Sequence, residues 1–143
     1  MYVLDNDTAS LLFRGRNGTL NRRALAVPPA DLWLPAIVVE EQFRGRLSVL
    51  AKLNPARSKD SALIPAAYRD LVLTQDFLRH FQVLPYTQAD EDLFQSWSAA
   101  VKRVGTRDCR IAAIALSRGF TVVTANVRHF QQIPDLRTTD WSV

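Results

Sequence analysis

The sequence predicts an α/β fold, with a mostly parallel central sheet whose strands are joined through helices by right-handed crossovers. Short runs rich in β-branched and large apolar residues recur along the chain: YVLD (2–5), LWLPAIV (32–38), FQVLP (81–85) and FTVVTA (120–125). Stretches of helical spacing separate them, and strands alternating with helices read as βα units. The bulk composition agrees: 48% hydrophobic and 22% charged residues over 143 positions suit one domain, 1–143, with a sizeable core.

Each element has its own signal. YVLD is a buried strand that ends on a carboxylate, and TASLLF (8–13) starts a helix directly after it. A turn at Asn17 and Gly18 precedes a second short helix that reaches about Val27, where Pro28 and Pro29 stop it. Pro35 inside LWLPAIV confines that strand to the first half of the run. From Val38 to Leu53 the spacing is helical, with Val39, Phe43, Leu47 and Leu50 on one face.

NPARSKDS (54–61) is turn chemistry, followed by a long helix from about Ser61 to Arg79 with Leu63, Ala67, Leu71 and Leu78 facing inward. FQVLP is a short strand closed by proline. Thr87 then opens a helix to about Lys102, its acids at 90–92 lying near the positive end of the helix dipole. RDCRIAAIALSRG (107–119) is a helix ended by glycine, FTVVTA is the most β-branched strand, and the tail holds an edge strand near 136–138.

Several function classes are excluded. No apolar run approaches the roughly 20 residues of a membrane span, and the first residues lack the basic and apolar regions of a signal peptide. The single cysteine, Cys109, forms no internal disulfide. The expected location is cytoplasmic. The formal charge is +4, and 15 of the 18 cationic residues are arginine. Arginine pairs its planar fork with phosphate oxygens. Arg14, Arg16, Arg22 and Arg23 stand in RGRNGTLNRR with no acid among them; this is either a solvated loop and helix start or a patch for a nucleic-acid backbone.

Three acidic positions break the usual pattern. Sites in parallel sheets lie outside the carboxyl ends of the strands, and Asp5 ends the first strand there. Glu40 and Glu41 are expected in the first turn of the helix after the second strand. Dipole compensation is one explanation for them, and a helical wheel puts Glu40 nearer the Phe43 stripe without choosing between the two. Asp108 shares the apolar face of its own helix with Ile111, Ala112 and Ala115. Two carboxylates about 4 Å apart repel by roughly 4 kcal/mol at an effective dielectric near 20. Three gathered at one sheet edge therefore take up protons or bind a cation. All-oxygen donors select Mg²⁺ or Mn²⁺, and the chain has no Cys/His spacing for zinc.

These segments also carry a resemblance. LDNDTASLL, EEQFRG, VGTRDCRIAAIAL and VVTANVRHFQQIPDL, followed by DW, resemble the PIN-domain ribonucleases, and within them the VapC-type toxins of bacterial toxin–antitoxin pairs. The match runs over nearly the whole chain and is weakest across 14–35 and 54–80. It implies a single PIN-like domain of three layers, α/β/α, over 1–143. It also implies a metal-dependent endoribonuclease that cuts structured RNA, is blocked by a small antitoxin protein and forms a homodimer. Asp5 and Asp108 correspond to family metal ligands. The family glutamate stands four residues before a glycine, which selects Glu41 with Gly45. The fourth position, an acid or asparagine in such proteins, is Asn126, whose amide adds no charge. A second ion would therefore be held weakly.

Other residues leave alternatives. Asp7 either orients a water at the metal or caps the helix from Thr8. His129 in NVRHF is expected to pack or pair at the surface, and His80 to lie at a helix end. The long 61–79 helix shows apolar residues on more than one face, Ile64 and Val72 among them, which suits dimerisation or antitoxin docking. Two further functional classes are a PIN-like domain that binds RNA or a partner without cutting, and a receiver-like phosphoacceptor domain. The second wants an acid at the end of a middle strand, where FQVLP has none.

Overall fold

The computed structural model describes residues Met1–Val143. Its five strands are β1 (Tyr2–Leu4), β2 (Leu32–Pro35), β3 (Gln82–Leu84), β4 (Thr121–Val123) and β5 (Thr138–Thr139). They form one sheet in the order β3-β2-β1-β4-β5, and every neighbouring pair is parallel. In β1, Val3 and Leu4 are both fully buried; so are Val122 and Val123 in β4. Adjacent strand residues point to opposite faces, so both faces of the sheet are covered and the molecule has the three layers expected of a parallel sheet.

The helices are α1 (Asn6–Arg14), α2 (Gly18–Ala26), α3 (Ala36–Lys52), α4 (Ser58–Leu78), α5 (Gln88–Ser96), α6 (Ala99–Lys102), α7 (Thr106–Arg118) and α8 (Val127–Phe130). The central one is α7: Ile111, Ala112, Ala113, Ile114 and Ala115 are all fully buried, so small residues let it lie close against its neighbours. Gly119 ends it in the left-handed conformation at φ 68°, where a glycine has no steric penalty. No helix is long and apolar enough to cross a membrane.

Four expectations need correction. The helix expected over 87–102 is two, because the chain extends at Trp97 and Ser98, whose hydroxyl caps α6. Helix α3 starts at Ala36, directly after Pro35, so Glu40 and Glu41 sit in its second turn, beyond the reach of dipole compensation. Leu47 and Leu63 are about half exposed, at 53% and 50%, instead of facing inward. The single-face reading failed because α3 and α4 pack on each other along part of their length and leave Val49, Tyr68, Val72 and Leu73 exposed as well. Helix α4 also begins three residues early, at Ser58, and contains Pro65.

Candidate active site

In the order β3-β2-β1-β4-β5 the chain walks outward from β1 to β3, then returns to the other side of β1. The crevice at such a reversal, outside the carboxyl ends of β1 and β4, is where a parallel sheet offers a site. Asp5 stands there. Its N–H donates to the Val123 carbonyl at 3.1 Å, continuing the sheet, and its own carbonyl accepts from Ala9 at 3.0 Å, starting α1. One residue thus belongs to both strand and helix. Its carboxylate Oδ1 accepts the Thr8 amide at 2.7 Å as the N-cap of α1, a contact worth about 1 kcal/mol. The capping role considered for Asp7 therefore falls to Asp5. Asp7 is exposed, in the first turn of α1, and lines the same cleft.

Glu41 reaches the cleft from α3, whereas Glu40 points to solvent and pairs with Arg44 at 2.9 Å. The next residue accounts for this orientation: buried Gln42 donates to the Asn6 side chain at 2.7 Å and the Ser10 hydroxyl at 2.8 Å, fixing α3 against α1. Asp108 arrives in the first turn of α7, above the buried apolar stripe that sequence spacing assigned to it. Asn126 precedes α8; its side chain makes no capping bond, while its N–H donates to the Thr124 hydroxyl at 2.9 Å.

These residues surround one cleft of about 120 Å³, lined by Asp5, Asp7, Glu41, Asp108 and Asn126 together with Asn6 and Phe130. Burial pushes the Asp5 carboxyl above its ordinary value against the donors Thr124 and Thr8, with Asp7 adding to the rise. Burial pushes Glu41 up to about 6, with Asp108, Glu40 and Asp7 adding to it and Arg107 opposing it. Asp108 is raised by burial and held back by His129. Carboxylates crowded in a half-dry cleft favour neutralisation, by protons or by a cation.

The protein supplies part of that neutralisation itself. Arg107 Nε lies 3.3 Å from Glu41 Oε1, and His129 Nε2 lies 3.1 Å from Asp108 Oδ2. As the side chains stand, no three His, Cys, Asp or Glu residues converge closely enough to clasp an ion. The donor chemistry nevertheless fits a hard divalent cation, since every polar group of the cleft offers oxygen and none offers sulfur. Asp108 engages His129 through Oδ2 alone, and the Asn126 amide is uncommitted. To hold an ion, Glu41 must share its carboxylate with Arg107.

Residues 2–136 match the sequence model of the PIN domain. The chain belongs to the PIN-domain family. Among curated PIN relatives, it is 39% identical over 80 residues to the tRNA(fMet)-specific endonuclease VapC of Salmonella typhimurium, a match covering 53% of this chain and 61% of that protein. It is 32% identical over 77 residues to ribonuclease VapC2 of Haemophilus influenzae, over 51% of this chain and 58% of that one. The chain thus spans about three fifths of the length of these relatives. Among solved structures it resembles DNA-bound VapBC from Salmonella typhimurium, with a TM-score of 0.76 and 26% identity over 98% of this chain and 97% of that one. VapBC2 from Rickettsia felis shares the fold at a TM-score of 0.74 and 16% identity, over 98% of each chain.

Some participants in this PIN site were missed in the sequence. Thr124 accepts from the Asn126 N–H and counters the upward shift of Asp5, Gln42 fixes the face of α3, and Arg107 engages Glu41. His129 pairs near the surface, as expected, but its partner is Asp108. Thr124 alone carried a readable signal, its place directly after β4. The arginine patch is exposed as expected: none of Arg14, Arg16, Arg22 and Arg23 enters an ion pair, and Arg23 donates to the Asp140 carbonyl at 2.7 Å. His80 is exposed at the end of α4, with Nδ1 2.7 Å from the Asp76 carbonyl.

Proposed function

We propose that this PIN domain is a divalent-metal-dependent endoribonuclease that hydrolyses RNA phosphodiester bonds, and that it is the toxin of a toxin–antitoxin pair. The observation that carries this reading is the convergence of Asp5, Glu41 and Asp108, from β1, α3 and α7, on one cleft at the reversal point of a PIN sheet. The VapC names of the matched relatives support the choice of RNA.

In this reading Asp5, Glu41 and Asp108 hold Mg²⁺ or Mn²⁺, and Asn126 contributes its amide oxygen. A divalent ion held there supplies a Lewis acid and an activated water for in-line attack at phosphorus. The chain's own residues do the positioning. Thr8 and the β1–α1 junction immobilise Asp5, Gln42 keeps Glu41 turned inward, and the apolar stripe of α7 sets the height of Asp108. Asp7 keeps the cleft negative and so favours cation entry. Exposed arginines attract the RNA backbone, which makes binding salt-dependent.

The partner in this reading is a small antitoxin protein, in line with the VapBC complexes among the structural neighbours. A homodimer in the cytoplasm completes the proposal: the half-exposed apolar residues of α3 and α4 suit an interface, and sedimentation as a monomer at micromolar concentration would refute it. A second reading, a PIN domain that binds RNA without cutting, is favoured only by Asn126 in place of a fourth acid.

Cleavage of total cellular RNA by the purified protein with Mg²⁺ or Mn²⁺ tests the proposal, with EDTA and Asp108→Asn as controls. Metal-dependent cutting lost in the variant is the expected result. Equal cutting by the variant, or none by the wild type, overturns the assignment; Mn²⁺ binding without cutting would move the reading to the inactive class.

A further inference from the structure

Beside the carboxylate cleft lies a second, polar one of about 450 Å³, lined by Glu41, Gly105, Thr106, Arg107, Asp108 and Arg110. The two share Glu41 and Asp108, so they are contiguous. None of its lining residues is hydrophobic, unlike the mostly apolar pockets that take small organic ligands. Apart from the two shared acids its charges are both cationic, Arg107 and Arg110. These two arginines differ in freedom. Arg110 is fixed: its guanidinium lies 5.5 Å from the Tyr86 ring and 5.4 Å from the Phe94 ring, and it bonds Glu91 at 3.5 Å. Arg107 is half exposed, and Glu41 is its one ionic partner, at Nε.

We propose that Arg107 is a phosphate-binding residue of this site: Glu41 holds its guanidinium in place, and its remaining donors take the RNA phosphate next to the scissile one in the polar cleft. The substrate class rests on the ribonuclease reading above. A guanidinium has five N–H donors in a rigid fork, so one carboxylate contact leaves enough for a phosphate. Being anchored beforehand, it loses little freedom when substrate arrives. Arg110, packed against two rings and paired with Glu91, forms a positive wall of the cleft. Glu41 thus has two tasks, one toward the metal side and one toward the phosphate side.

The test is binding of a fluorescein-labelled single-stranded RNA oligonucleotide in EDTA, read by anisotropy over a series of salt concentrations. Wild type, Arg107→Gln and Arg107→Lys are compared, and Mn²⁺ affinity and far-UV circular dichroism are measured for each. Arg107→Gln should weaken RNA binding roughly tenfold and lower the slope of log K against log salt by about 0.7, one single-strand phosphate contact. Arg107→Lys should regain the slope but only part of the affinity, because lysine keeps the charge and loses the fork. Mn²⁺ affinity of Arg107→Gln should be equal to wild type or tighter, since a competing cation is gone. Wild-type affinity and slope in Arg107→Gln would overturn the proposal and leave the ribonuclease intact. Loss of Mn²⁺ binding or of the native dichroism spectrum in that variant would make Arg107 structural, which also overturns it. Weakened RNA binding in a protein that never cuts RNA would sustain the role of Arg107 and remove the ribonuclease reading. A wild type that binds no RNA in EDTA would overturn the role of Arg107, and the cleavage assay with Mn²⁺ would then decide the ribonuclease reading.

Discussion

Arg118 and Asp90 form a two-pronged ion pair inside the protein, Nη1 to Oδ1 at 2.9 Å and Nη2 to Oδ2 at 3.2 Å, with Asp90 fully buried. The pair ties α5 to the end of α7 opposite Asp108. Arg118 also donates to the Ile114 and Pro85 carbonyls at 3.0 and 3.2 Å, and Asp90 closes the capping box of α5 with Thr87. Arg118→Met removes the cation and leaves a buried carboxylate without its partner, a change that costs about 3–5 kcal/mol. Urea denaturation should register that loss; a loss under about 1 kcal/mol would mean the pair is solvated in solution.

Stability of the metal-free protein should peak on the acid side of neutrality. Burial alone would raise Asp90, but Arg118, Thr87 and Ser117 hold it at about 2. Its contribution is therefore present above about pH 4 and fades as pH falls toward 2. Glu41 has the opposite sign. Its folded value of about 6 exceeds the ordinary 4.5, so its protonated form favours the fold below about pH 4.5, and that advantage is lost as pH rises through 6. Asp5 and Asp108 are shifted upward as well. Melting temperatures in EDTA should be higher near pH 5 than near pH 8, and Mn²⁺ should restore the loss at pH 8. A maximum at pH 8 in EDTA would contradict the crowding of these carboxylates.

The legible parts of this chain are those whose signal is local. The all-apolar strand YVL, the glycine stop at Gly119 and the run IAAIA each declare an element within a few residues, and the acids were noticeable because they sat where an apolar stripe or a strand end was due. What escaped depends on contacts between distant segments. Leu47 and Leu63 read as inward because a wheel assumes one buried face, while the packing of α3 on α4 decides which face that is. Gln42 and Thr124 act through hydrogen bonds to α1 and to the Asn126 amide, and no spacing rule announces such partners. Between Glu40 and Glu41 the wheel could not choose; the family pattern could, and Glu41 is the one that lines the cleft.

Asp5 joins a structural task to a chemical one, and two substitutions separate them. Asp5→Asn keeps an oxygen for the Thr8 amide, a good N-cap, and removes a charge that burial already disfavours. It should melt at or above the wild-type temperature while losing RNA cleavage and Mn²⁺ binding. Asp5→Ala should lose cleavage too, and in addition about 1 kcal/mol of stability, because the cap is gone. Thermal melts beside cleavage assays check both. Equal melting of the two variants would mean that the 2.7 Å bond to Thr8 contributes nothing.

Asn126 offers a gain-of-function test. Its side chain is exposed at the mouth of the cleft, makes no capping bond, and is the one uncharged member of the four proposed ligands. Asn126→Asp adds a carboxylate of nearly the same shape next to the start of α8, and no buried group has to move to admit it. With no cation bound, the new charge adds to the repulsion among Asp5, Asp7 and Asp108, so the variant should melt lower than wild type in EDTA. With Mn²⁺ the order should reverse, since the added charge strengthens cation binding, by roughly 1 kcal/mol for a solvated pair near 4 Å. Isothermal titration with Mn²⁺ should show about fivefold tighter binding. Unchanged Mn²⁺ affinity would place Asn126 outside the metal's reach and leave Asp5, Glu41 and Asp108 as the proposed ligand set.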